Sequence, residues 1–249
     1  MGCYVVTGIA GFIGARVGRL LLDAGHDVVG LDDLNDYYDV RLKSWRLQAL
    51  RAAQTPGTFT FHTADIAEIK NIEEAIPEQC EGILNLAARA GVRASLDNPW
   101  IYHRTNTLGT LNVLELSRQH DIPKVIVAST SSLYGHQTPV PFHESANTDR
   151  PPSPYAATKK AAEAMCATYA ELYGIDTPTP RYFTVYGPAG RPDMAPFRFV
   201  RDIAEGTPIT IYGDGSQQRD FTYVDDVARG TIAMLDARVR GHEIFNIGN

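Results

Sequence analysis

Tyr155 and Lys159 stand four residues apart in Tyr155-Ala156-Ala157-Thr158-Lys159, a spacing that puts a phenol and an ammonium on one face of a helix. A phenol titrates near 10 in water, and a cation beside it favours the phenolate, bringing it toward the range useful to a general base. Earlier in the chain, Ala128-Ser129-Thr130-Ser131-Ser132-Leu133-Tyr134-Gly135 follows the apolar run Val125-Ile126-Val127 and places four hydroxyl side chains where a buried strand reaches the surface. Alone, this is a serine-rich turn. Next to the Tyr-Lys pair it becomes an alcohol site, in which Thr130 hydrogen-bonds a substrate hydroxyl, Tyr155 removes its proton and a hydride leaves the carbon. The plainer reading of Tyr155 is a half-buried helix aromatic.

A departing hydride needs an acceptor, and Thr7-Gly8-Ile9-Ala10-Gly11-Phe12-Ile13-Gly14 supplies a place for one. Gly8 makes a tight turn, Gly11 lets a pyrophosphate approach the backbone, and Gly14 lets the helix pack on the strand, while the helix N-terminus offers free N–H groups. Asp32 ends the second expected strand, 18 residues past Gly14, where it accepts from ribose hydroxyls and repels a 2′-phosphate, so NAD is expected over NADP. Asp65 and Ile66 follow the third expected strand and are placed to reach the adenine; Asp65 also suits a helix N-cap.

These groups need a scaffold, and the chain supplies alternating periods. Strands are expected over 3–7, 27–31, 58–62, 82–86 and 124–129, and helices over 12–24, 40–53, 69–76, 100–119 and 153–173. Short apolar strands alternating with helices imply a Rossmann-type, doubly wound parallel α/β sheet over 1–180. Beyond that, Pro188, Pro192 and Pro196 and the turn Gly213-Asp214-Gly215 predict a smaller, loop-rich substrate-binding region over 181–249, with 225–249 returning to the main sheet. This region reads as incomplete, because the sequence ends on Phe245-Asn246-Ile247-Gly248-Asn249 with no closing helix.

The 249 residues carry a net charge of −6, which gives no basic footprint for nucleic acid, and no apolar window suits a membrane span. The expected setting is the cytoplasm, since an apolar strand begins within two residues of Met1. Cys3, Cys80 and Cys166 lack metal-ligand spacing and read as reduced thiols, and the scattered histidines predict no metal site.

With the glycine loop, Thr130, Tyr155 and Lys159 in that order, the chain resembles the extended short-chain dehydrogenase/reductase family, and within it the nucleotide-sugar epimerases and dehydratases. Leu34-Asn35-Asp36-Tyr37-Tyr38-Asp39, Ala90-Gly91-Val92-Arg93-Ala94-Ser95 and the run from Arg181 to Met194 are similar to UDP-glucuronate 4-epimerases. The resemblance implies NAD as cofactor, a UDP-sugar as substrate and a homodimer built on the helices near 100–119 and 153–173. It implies cofactor contacts from Phe12, Ile13, Leu86, Ala87, Ala88 and Asn106, and from Tyr182 and Val185 near the nicotinamide. For the sugar nucleotide it implies Arg93, Ser95, Ser131, Ser132, Thr184 and Met194, with Arg191 for a carboxylate and Arg219 for the diphosphate. The plainer reading of both arginines is a surface loop.

Asn85 stands where the family often has a histidine, and Ala189 where it has a bulkier residue. The resembling 4,6-dehydratases carry Asp-Glu directly after the threonine, and decarboxylases a Glu at the position of Ser132. Ser131-Ser132 therefore points to 4-epimerisation, because a hydroxyl is neither acid nor base of useful strength near neutrality. Galactose-type epimerisation, decarboxylation and a non-catalytic NAD-binding role remain the alternatives.

Overall fold

Apolar and β-branched runs form β1 (Cys3–Thr7), β2 (Asp27–Asp32), β3 (Phe59–Thr63), β4 (Gly82–Asn85) and β5 (Val125–Val127). In the computed structural model, which describes residues 1–135, 138–211 and 213–249, these strands pair in parallel in the order β3-β2-β1-β4-β5. The connections are α1 (Phe12–Asp23), α2 (Val40–Arg51), α3 (Ile69–Glu73), α4 (Ala94–Asp97), α5 (Pro99–Tyr102) and α6 (Gly109–Gln119).

The strand expected over 124–129 is divided. Its first part is β5, paired with β4, and its last part is β6 (Ser129–Thr130), paired with β7 (Thr177–Tyr182). The break falls at Ala128, whose N–H donates to the Asn85 carbonyl while its own carbonyl accepts from Lys159 Nζ at 2.9 Å. Because β5 and β6 are one stretch of chain, the sheet runs on into β7 and then β10 (His242–Ile247), all parallel.

Alternate residues of the central strands feed two cores. Val5, Ile83, Val125 and Val127 pack with α3, α6 and α7 (Pro154–Tyr173) on one face, and Tyr4, Val6, Leu84 and Ile126 pack with α1, α2 and the last helix on the other. Each fully buried Val, Leu or Ile contributes about 1.5–3 kcal/mol. Between β7 and the last helix the chain forms β8 (Thr184–Tyr186), α8 (Ala195–Ala204) and β9 (Phe221–Tyr223), with β8 and β9 forming a separate parallel pair. The last helix, α9 (Val224–Asp236), packs against α1. The sequence reading contained no helix there, although Val224, Val227, Ala228, Thr231 and Met234 are buried at helical spacing.

Helix α7 shows how sequence sets the ends. Ser153 Oγ accepts from the Ala156 N–H at 3.1 Å, Pro154 takes the first helical position, and Gly174 ends the helix at φ +68°. The helix expected over 100–119 is continuous but contains a π-helical segment at His103–Leu108. There the Thr110 hydroxyl donates to the Asn106 carbonyl at 2.7 Å, and the Asn106 side chain is drawn inward to Arg89 and Thr158.

Candidate functional site

The C-terminal ends of the strands open into a cavity of about 370 Å³, at the point where the sheet order reverses between β1 and β4. Gly8, Gly11 and Gly14 line it beside Phe12 and Ile13. Gly8 sits at φ +68°, and a Cβ on Gly14 would stand 2.1 Å from the Gly8 carbonyl oxygen, so only glycine lets helix and strand approach this closely. Gly11 caps α1 without a side-chain hydrogen bond, which leaves first-turn N–H groups for an anion. A dinucleotide pyrophosphate fits this cradle.

Asp32, 7% exposed, accepts from the Ala10 N–H at 3.1 Å and the Leu34 N–H at 2.9 Å, with Lys43 Nζ 3.7 Å away. Burial pushes its carboxyl up, opposed first by Lys43 and then by those N–H groups. Asp65 and Ile66 line the adjoining wall. The Asp65 carboxylate accepts from the Ala67 N–H at 2.9 Å and pairs with Arg104, so it shapes a turn ahead of α3, whose N-cap position is held by Glu68 without a side-chain hydrogen bond.

Thr130, Ser131, Ser132, Tyr155 and Lys159 meet on the opposite wall. Thr130 Oγ1 accepts from the Ser132 N–H at 3.1 Å, and the Thr130 side chain stands near enough to the Tyr155 phenol to favour its ionised form. Burial raises the Tyr155 phenol, and Thr130 and the charge of Arg191 oppose that rise. Burial draws Lys159 down to about 8. The charge of Arg191 favours the phenolate, while Lys159 donates one of its N–H groups to the Ala128 carbonyl. Lys159 thus lines the cavity with Tyr155, as expected of a pair on one helix face, and also holds the chain at the end of β5.

Beneath the hydroxyl run, Ser129 donates to Glu163 Oε1 at 2.6 Å, and Glu163 takes both Nε and Nη2 of Arg181 at 2.8 Å. Arg181 Nη1 also donates to the Tyr134 hydroxyl at 3.0 Å. This buried pair ties β6 and β7 to α7, and so fixes Thr130 against Tyr155.

Leu86, Ala87 and Ala88 floor the cavity, and Tyr182, Thr184, Val185 and Met194 wall its far end. The Tyr182 hydroxyl points away, to Thr231 at 2.8 Å. Arg191 lies over the Tyr37 ring at 5.7 Å, and its Nε and Nη2 bind Asp193 at 3.0 and 2.5 Å.

Four expected site residues do not line the cavity. Asn106 is buried behind it, accepting from the Arg89 N–H and donating to the Arg89 carbonyl and to Thr158. Ser95 is also buried and donates to the Val92 carbonyl at 2.6 Å. Arg93 is exposed, and Arg219 is exposed with its Nη1 on the Gln218 carbonyl. Conversely, Tyr37, Lys43 and Arg89 line the cavity without having been singled out individually. The aromatic and basic residues clustered after β2 were the available signal.

The family model of the NAD dependent epimerase/dehydratase family matches residues 4–248. A UDP-glucuronate 4-epimerase of Thermodesulfobacterium geofontis is 54% identical over 249 residues, covering 100% of this chain and 75% of that protein. A probable UDP-glucuronate 4-epimerase of Rhizobium meliloti is 46% identical over 231 residues, covering 93% and 67%. Among solved structures, the UDP-glucuronic acid 4-epimerase of Bacillus cereus in complex with UDP-glucuronic acid and NAD superposes with a TM-score of 0.88 at 35% identity, covering 99% of this chain and 77% of that one. The chain thus spans between 67% and 77% of these relatives' length. Glycine cradle, ribose carboxylate and hydroxyl-tyrosine wall agree with the matched sequence, and the chain belongs to the NAD-dependent epimerase/dehydratase family.

Proposed function

We propose that this chain is an NAD-dependent UDP-sugar 4-epimerase whose sugar pair is UDP-glucuronate and UDP-galacturonate. The observation that carries the reading is Arg191, a cationic fork in the same cavity as the Tyr155–Thr130 pair and near enough to act on the phenol. The glycine loop and Asp32 would hold NAD, which would supply reversible hydride acceptance at sugar C4. Thr130 hydrogen-bonds the C4 hydroxyl while Tyr155 takes its proton, and Tyr155 gives the proton back once the 4-ketone has turned its other face. Asp193 occupies the Nε–Nη2 edge of Arg191, which leaves Nη1 for the sugar carboxylate. Ser131 and Ser132 offer hydrogen bonds but no acid or base to drive elimination or loss of carbon dioxide.

The test is product analysis after incubation with UDP-glucuronate or UDP-galactose, with and without added NAD. UDP-galacturonate is expected, with little UDP-pentose; dominant carbon dioxide release overturns the reading. In the same assay, Arg191→Ala should lower the preference for UDP-glucuronate over UDP-galactose by about tenfold or more, the loss of one charge-assisted pair. An unchanged preference removes that role from Arg191.

The same reading makes the protein cytoplasmic and homodimeric. Its cysteines are unpaired thiols, as in reducing compartments. Among the described residues no helix is long and apolar enough to cross a membrane. Exposed Trp100 and Leu108 on one helical stretch, and Leu172 and Tyr173 at the end of α7, supply apolar surface for a second copy. Sedimentation should give a dimer at micromolar concentration, and monomer alone counts against it.

A further inference from the structure

The glycine loop and the loop carrying Arg191 are far apart in sequence, yet one buried side chain holds both. Arg46 projects from α2 and is 3% exposed. Its Nη1 donates to the Ala10 carbonyl at 3.0 Å and to the Tyr38 hydroxyl at 2.7 Å, and its Nη2 donates to the Ala189 carbonyl at 2.6 Å. The Tyr38 ring covers the guanidinium at 5.6 Å. All three acceptors are neutral oxygens, and the buried Nε has no partner among the described residues.

Each end of this bridge bears on the site. Ala10 lies inside the glycine loop, and its N–H is the one held by Asp32. Ala189 is two residues before Arg191 and sits at φ +56°, a left-handed conformation that costs a non-glycine residue about 1–2 kcal/mol. The hydrogen bond from Arg46 holds the peptide that follows. The two loops also lie close together, since a Cβ added at Gly190 would come within 3.7 Å of the Phe12 ring. A guanidinium is planar and rigid, so it fixes its acceptors relative to one another, which a lysine with a single ammonium cannot do across this span. A buried cation with neutral partners keeps an unmet demand for negative charge, and the group this site is shaped to receive at the start of α1 is a pyrophosphate.

We propose that Arg46, bonded at once to Ala10 and Ala189, is a positioning residue that couples occupation of the glycine loop by NAD to the placement of Arg191. This deepens the reading of Arg191 given above. Pyrophosphate at the loop compensates the guanidinium and tightens its hold on Ala10; the rigid fork carries that constraint to Ala189, so the loop over 187–194 is most ordered when NAD is bound. The coupling is reciprocal: whatever fixes Arg191 strengthens NAD binding by the same factor.

Amide hydrogen exchange tests this without turnover or sugar. In the unsubstituted protein, saturating NAD should slow exchange over 187–194 by about tenfold. In Arg46→Lys, which keeps the charge but cannot bridge, that slowing should shrink to within about twofold, while calorimetry shows NAD affinity reduced by less than the tenfold coupling or by that amount at most. Arg46→Gln, which loses the charge as well, should lose the NAD-dependent slowing too. Slowing that persists in Arg46→Lys overturns the proposal. So does its absence from the unsubstituted protein, a result no folding defect can produce. A failed product assay with a positive exchange result would remove the assigned sugar and leave the coupling standing.

Discussion

Tyr155→Phe is expected to bind NAD normally and to lose about 10²–10⁴-fold in kcat, the usual worth of a positioned proton-transfer group. The substitution removes only the phenolic hydroxyl; the ring keeps its edge-on packing against Tyr102 at 6.1 Å. Thr130, Ser131 and Ser132 beside it are hydroxyls too weakly acidic to exchange protons near neutrality, and Lys159 is engaged by the Ala128 carbonyl. The sign of the pH dependence follows from the same group. Burial raises the phenol, and the deprotonated form takes the proton, so turnover by the unsubstituted enzyme should climb as pH rises toward the phenol's ionisation. The residual rate of the Phe variant should lack that climb. Steady-state pH profiles of both proteins measure it, and a Phe variant within threefold of the parent would take the proton transfer away from Tyr155.

Glu163→Gln should destabilise the fold by about 3–5 kcal/mol, because it leaves the Arg181 guanidinium buried without its charge partner. The side chains of Arg181 and Glu163 are 1% and 3% exposed, so water cannot replace the lost carboxylate. Removing both charges together, in Glu163→Leu with Arg181→Met, should recover more than half of the loss, since apolar replacements of similar volume cost less than a lone buried charge. Urea unfolding reads both values. If Glu163→Gln costs less than about 1 kcal/mol, β6 and α7 are held by packing rather than by this pair.

The parts of the site legible in the sequence are those whose geometry is local. A backbone that must pass a phosphate and then pack a helix needs Gly8, Gly11 and Gly14 at fixed spacing, and Tyr155 and Lys159 share a helix face by period alone. What the period could not say is where each ammonium proton goes, and the Ala128 carbonyl was invisible until the strand broke there. Arg93, Ser95 and Arg219 were placed by motif, and their positions depend on loops whose paths are set by distant contacts. Helix α2 hid Arg46 for another reason: Lys43 and Arg46 share its buried face with Leu47 and Leu50, which breaks the apolar period that marks an inward side. Helix α9 begins within one turn of the strand-like run Phe221–Tyr223, so its start is masked by a neighbour of the opposite period.

Asp32 holds the Ala10 and Leu34 N–H groups with a carboxylate that also lines the cavity. On the proposed reading, in which Asp32 binds the ribose, cofactor choice and loop shape are written in one residue, and evolution cannot revise the first without disturbing the second. A lineage drifting toward a 2′-phosphorylated dinucleotide would first have to furnish other acceptors for those two amides, so neutral intermediates are scarce and the preference for NAD is entrenched by the fold's own architecture.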